Sequence, residues 1–90
     1  MTMSRRRNYH QDTLDVMSRF FLCLDSLVKD KKVSMSGFCA DNDIDKRHLY
    51  AQRKDPYRGY FESHWLTTLV RKYGASPDYL LTGSGTMFRG

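Results

Sequence analysis

Ninety residues, with 15 Lys+Arg against 10 Asp+Glu, a net charge of +5 and 40% hydrophobic side chains, describe one small folded domain with an affinity for anions. This composition excludes a disordered chain, and the longest apolar run, Phe20 to Leu24, is far too short to span a membrane. Cys23 and Cys39 show no CxxC or Cys/His spacing, so no metal site or cofactor is expected; they read as buried, reduced thiols in a cytoplasmic protein.

Residues 1–11 are polar and basic without periodicity and read as a flexible arm. The arm's opening, MTMSRRRNYH, has no apolar segment behind its arginines and does not read as a signal peptide. Its Arg5, Arg6 and Arg7 suit phosphate or a minor groove, where arginine is favoured, although an ordinary frayed terminus would look the same.

A domain is expected over residues 12–82. Its first helix starts near Asp12, with Asp12 or Thr13 as cap and Asp15 in the first turn. Leu14, Met17, Phe20, Phe21, Leu24, Leu27 and Val28 recur at steps of three and four and form one core stripe; Arg19, Asp25 and Lys29 fall on the wet side. Lys29 to Lys32 place cations at the negative end of the helix.

Ser34 or Ser36 can cap a short second helix that points Phe38 and Cys39 inward. Asn42-Asp43 supplies a turn, because both residues tolerate left-handed backbone. Asp45 then stands where an N-cap stands, and a third helix of about Asp45 to Lys54 puts Lys46, Arg47, Tyr50, Ala51 and Lys54 on one side and Leu49 on the other. Two short helices at a sharp turn, the second with a cationic, aromatic-bearing stripe, are how a helix-turn-helix reads the DNA major groove.

Asp55-Pro56 stops this helix, and Arg58 in the following loop can reach a phosphate, whereas Tyr57 and Tyr60 read as packing residues rather than base-stackers. A fourth helix from Phe61 or Glu62 to Tyr73 buries Trp65, Leu66, Leu69, Val70 and Tyr73 and stops at Gly74. Ser76-Pro77-Asp78 starts a short fifth helix, with Leu80 and Leu81 closing the core and Gly83 ending it. Residues 83–90 form a loose tail whose Met87 and Phe88 can fold onto the core or onto another subunit. The fold class is all-α: a compact five-helix bundle containing a helix-turn-helix.

Charge is unevenly distributed. Residues 1–7 carry +3, residues 8–45 carry −3, residues 46–58 carry +4 and the remainder +1. The positive charge coincides with the third helix, which favours nucleic acid over a merely soluble basic face. No nucleophile has a partner at useful spacing and no glycine loop can cradle phosphate, so no enzyme or small-molecule substrate is expected.

These residues resemble the lambda-repressor/Cro-like helix-turn-helix domains, and especially a small branch found in Bacteroidetes and their phages. The likeness is carried by Arg19-Phe20-Phe21, Phe38-Cys39, Ile44 through Tyr50, Arg53-Lys54-Asp55-Pro56, Trp65-Leu66, Tyr73-Gly74 and the run from Ser76 to Phe88. It covers most of residues 15–88, and the closing LLTGSGTMF is its most specific piece. The resemblance implies a repressor-like transcriptional regulator binding double-stranded DNA as a homodimer.

It also implies that Asp45, Lys46, Arg47, Tyr50, Ala51 and Lys54 face DNA and that Cys39, Ile44 and Leu49 are buried. Asp45, Lys46, Arg47, Tyr50 and Ala51 are then the base readers. Ser36, His48, Arg53, Lys54 and Arg58, with the arm's Arg5, Arg6 and Arg7, are the phosphate contacts. Two positions depart from the pattern: Asp43 stands where glycine is usual in the turn, and Gln52 where the recognition helix is usually apolar. An interaction module on the same fold, or an RNA binder using the basic arm and the tyrosines, is the alternative.

Overall fold

The computed structural model describes residues 9–57 and 60–89, and among them five helices and no named strand. The first, α1 (Gln11–Lys29), buries Met17, Phe20, Phe21, Cys23, Leu24 and Leu27 along the stripe that the periodicity predicts. It begins one residue early, and its cap is neither Asp12 nor Thr13. His10 Nδ1 accepts the Asp12 N–H at 3.0 Å, doing with an imidazole nitrogen what a carboxylate or hydroxyl oxygen does elsewhere.

Phe20 sits at the centre of the core. The rings of Phe21, Phe38, Phe61 and Trp65 lie with centroids 4.9, 5.7, 5.2 and 5.8 Å from its own. The Phe21 and Phe61 rings meet Phe20 edge to face, which adds to the gain from burial alone, and those of Phe38 and Trp65 are tilted against it. Both cysteines are free and buried in the same core, and burial pushes the Cys23 thiol up to about 11 and raises that of Cys39.

The second helix, α2 (Met35–Asn42), is capped by Ser34, whose Oγ accepts the Gly37 N–H at 2.9 Å. A Cβ on Gly37 would lie 3.0 Å from that oxygen, so the glycine makes room for its own cap. Asp43 ends the helix at φ 55°, ψ 47°, in the left-handed region that aspartate tolerates, and so replaces glycine at the turn. The Ile44 N–H then donates to the Cys39 carbonyl at 2.9 Å, a Schellman-type stop. Asn42, expected in the turn, is instead the last helical residue and is buried. It donates to the Phe38 carbonyl at 3.0 Å and accepts the Thr68 hydroxyl at 2.7 Å.

The third and fourth helices are α3 (Lys46–Lys54) and α4 (Ser63–Tyr73). Helix α4 starts slightly later than predicted, behind Glu62, which makes no side-chain cap hydrogen bond. Gly74 closes α4 in the left-handed region, as its sequence position predicts. Ser76 and Pro77 open α5 (Pro77–Thr82), with Ser76 Oγ accepting the Tyr79 N–H. Helix α1 packs on α4 and α5, and α2 on α3 and α4.

Three expectations change at this end of the molecule. Leu80 is buried, but Leu81 is 57% exposed, because the two side chains leave the helix about 100° apart and α5 packs with Leu80 inward. Arg19 is not on the wet side: its Nε and Nη2 donate to the Leu80 and Leu81 carbonyls at 3.0 and 3.2 Å, holding groups that the end of α5 leaves without helical partners. The tail is not loose through residue 89. Phe88 bridges Ala75 in antiparallel sense, the Ser76 N–H donates to the Met87 carbonyl, and Arg89 binds the Gly74 and Val70 carbonyls. Met87 and Phe88 thereby pack on the core of their own chain.

Candidate nucleic-acid interface

Helix α3 begins at Asp45, whose carboxylate accepts the Arg47 N–H at 2.9 Å and lies 3.3 Å from the Arg47 guanidinium. These contacts, the backbone N–H first, hold the Asp45 carboxyl below its ordinary range. Downstream, only Leu49 and Gln52 are buried. Lys46, Arg47, Tyr50, Ala51 and Lys54 are all exposed, with the Arg47 side chain at 92%. The stripe predicted from helical spacing is thus a continuous outward face.

The structure also joins residues that are distant in sequence. Lys46 Nζ donates to Ser36 Oγ at 3.2 Å, linking the start of α3 to the first turn of α2. A base reader and a phosphate contact of the sequence reading therefore form one cationic corner. Lys46 at that corner adds positive charge where α2 already presents the positive end of its dipole.

Two expected phosphate contacts lie elsewhere. His48 is half-buried, its ring stacked on Tyr60 with centroids 3.9 Å apart and its Nε2 3.1 Å from the Tyr60 carbonyl. Arg53 turns toward α1, where it pairs with Asp25 and holds its guanidinium 5.1 Å from the Phe21 ring centroid. Arg5, Arg6, Arg7 and Arg58 lie outside the described residues.

Gln52 is wholly buried. Its Nε2 donates to the Pro56 carbonyl at 3.3 Å and touches Met17 Sδ at 3.8 Å, while its Oε1 has no partner among the described residues. The amide thus docks the last turn of α3 through a donor where an apolar side chain would use area. Asp25, Tyr60 and Asn42 enter through contacts that the sequence does not mark. No local pattern reveals them, because their partners are 12 to 28 residues away.

Electrostatics separate α3 from the start of α4. Glu62 lies 3.5 Å from His64 Nδ1 at the head of α4, and its carboxylate opposes an anion there. Behind the motif, Lys72 donates to Asp41 at 2.7 Å, and this bond holds the Asp41 carboxyl down and the Lys72 ammonium up. Among the described residues no helix is long and apolar enough to cross a membrane, and no group of three His, Cys, Asp or Glu could hold a metal ion. No family model matches the chain, and no characterised protein or solved structure is significantly similar to it.

Proposed function

We propose that this protein is a sequence-specific, repressor-like DNA-binding regulator of the lambda-repressor/Cro-like type, with α3 as its recognition helix in the major groove. The observation that carries this reading is the division of α3 into two faces. Leu49 and Gln52 anchor one side, while Lys46, Arg47, Tyr50, Ala51 and Lys54 are exposed on the other. A capped helix docked along one line and presenting donors along the opposite one has the form that enters a major groove.

In this reading Arg47 donates to guanine O6 and N7, and the Asp45 carboxylate 3.3 Å away orients the guanidinium before contact. Lys46 supplies a second donor to guanine, Tyr50 makes polar or thymine-methyl contacts, and Ala51 meets a thymine methyl. Lys54 and Ser36 hold phosphate, which positions the helix without reading sequence. So few base contacts per chain favour a homodimer on a two-fold site, with half-sites about 34 Å apart.

The test is fluorescence-anisotropy binding to a random-sequence duplex pool across a salt series, followed by sequencing of the bound fraction. A steep loss of affinity with salt and an enriched, roughly palindromic motif are expected. Absence of binding at low salt would reject the reading.

One observation favours a second reading, an interaction module. Leu81 is 57% exposed beside an apolar groove of about 340 Å³ lined by Leu66, Val70 and Leu80. If the basic face serves only solubility, no duplex will be retained at any salt concentration.

A further inference from the structure

His48 and Arg53 do not share the outward face of α3. At about 100° per residue, Lys46, Tyr50, Lys54, Arg47 and Ala51 cover one arc, while Arg53 lies just past one edge and His48 past the other. Each side chain reaches a different neighbour. Arg53 crosses to α1, pairing with Asp25 and lying over the Phe21 ring. His48 reaches the segment before α4, stacking on Tyr60 with its ring centroid 6.0 Å from that of Trp65. Beneath the helix only Leu49 and Gln52 are buried.

A helix seated on so narrow a line has little buried area to fix its rotation about that line. Side-chain tips lie about 5–6 Å from the helix axis, so a roll of about 10° displaces them by about 1 Å. That is enough to spoil a bidentate hydrogen bond to a base, whose usual length range spans about 0.5 Å.

We propose that Arg53 and His48 are positioning residues, braces that set the roll of α3 from its two flanks, and not phosphate ligands. Asp25 is the seat of the first brace and Tyr60 of the second. The Asp25 carboxylate also places negative charge on the Arg53 flank, where a phosphate would be repelled. The consequence for base reading rests on the DNA-binding function proposed above; the holding of α3 does not.

The experiment compares Asp25→Asn, Arg53→Gln, their double variant and His48→Gln with the parent protein. Each binds the duplex enriched from the random pool and a random-sequence duplex across a salt series. Braces predict that Asp25→Asn and Arg53→Gln each lower the preference for the enriched duplex by about fivefold, the scale of a partly exposed ion pair, and that His48→Gln lowers it as well. The Asp25/Arg53 double variant should lose no more than either single one. The salt slope on the random duplex should stay as in the parent.

The opposite pattern overturns the assignment. If Arg53 holds a phosphate, Arg53→Gln lowers the slope by about one and Asp25→Asn, by freeing the guanidinium, tightens binding. If the parent binds neither duplex, the DNA reading fails, and amide hydrogen exchange decides the braces alone. Faster exchange confined to α3 in Asp25→Asn and His48→Gln supports them, and unchanged exchange there rejects them.

Discussion

Helices α1 and α3 are held in opposite ways. Six of the 19 residues of α1 are buried, all of them apolar or cysteine, in one continuous stripe. Two of the nine residues of α3 are buried, and one of these is an amide. Area secures α1, whereas α3 depends on a few directed contacts: the Asp45 cap, the Gln52 amide, the Asp25–Arg53 pair and the His48–Tyr60 stack. With so little of its surface buried, α3 is placed mainly by polar contacts.

The largest expected effect tests the area side of this contrast. Phe20→Ala removes the ring at the centre of the aromatic cluster and should cost about 3–5 kcal/mol in urea unfolding, enough to unfold much of the population. A loss below about 1 kcal/mol would mean that α1 is not the structural axis.

Next in size is the exposed face of α3. Arg47→Ala touches no core, so its unfolding midpoint should stay within about 0.5 kcal/mol of the parent. Its discrimination between enriched and random duplexes should fall by about 1–3 kcal/mol. Equal losses on both duplexes would count against base reading.

Arg19→Met keeps the apolar stem but deletes the bonds to the Leu80 and Leu81 carbonyls, and about 1 kcal/mol of stability should go with them. Gln52→Met sharpens the comparison further. It loses the donor to Pro56 but also the Oε1 that has no partner among the described residues, and these oppose each other, so the net change should be within about 1 kcal/mol. A larger penalty would show that the amide places the end of α3 in a way that apolar area cannot replace.

Stability also depends on pH. Asp41 and Asp45 have carboxyls held below 3.8, so their contribution is complete above the ordinary carboxylate range and is lost as pH falls through the depressed values. Lys72 is held above 10.5, so its share is complete below that value and is lost as pH rises through the raised one. The Cys23 thiol, raised from 9.0 to about 11, adds a further decline over that interval, because the unfolded thiol ionises first. Equilibrium unfolding across pH should therefore weaken at both extremes, and both thiols should react with a disulfide reagent only on the timescale of unfolding.

Much of this molecule is legible in one dimension. Helical periodicity locates the stripe of α1 and the two faces of α3, and the signals at Asp45, Gly74, Ser76 and Gly83 mark element ends because capping acts over a few residues. Asp43 in the left-handed turn follows from aspartate's own tolerance. The sequence by itself thus determined the all-α class, the helix order and which face of α3 points outward.

Tertiary structure alone decided how α3 is fastened. The partners of Arg53, His48 and Asn42 lie 28, 12 and 26 residues away, and nothing in the local pattern distinguishes an arginine free for phosphate from one spent on Asp25. It also decided that Arg19 turns inward, that Leu81 turns outward and that residues 87–89 return to Gly74 and Ser76. Periodicity and capping are short-range and repeat along the chain, so they can be read from spacing. Pairing of long polar side chains depends on which surfaces the fold brings within hydrogen-bond reach, and that distance exists only once the helices have packed.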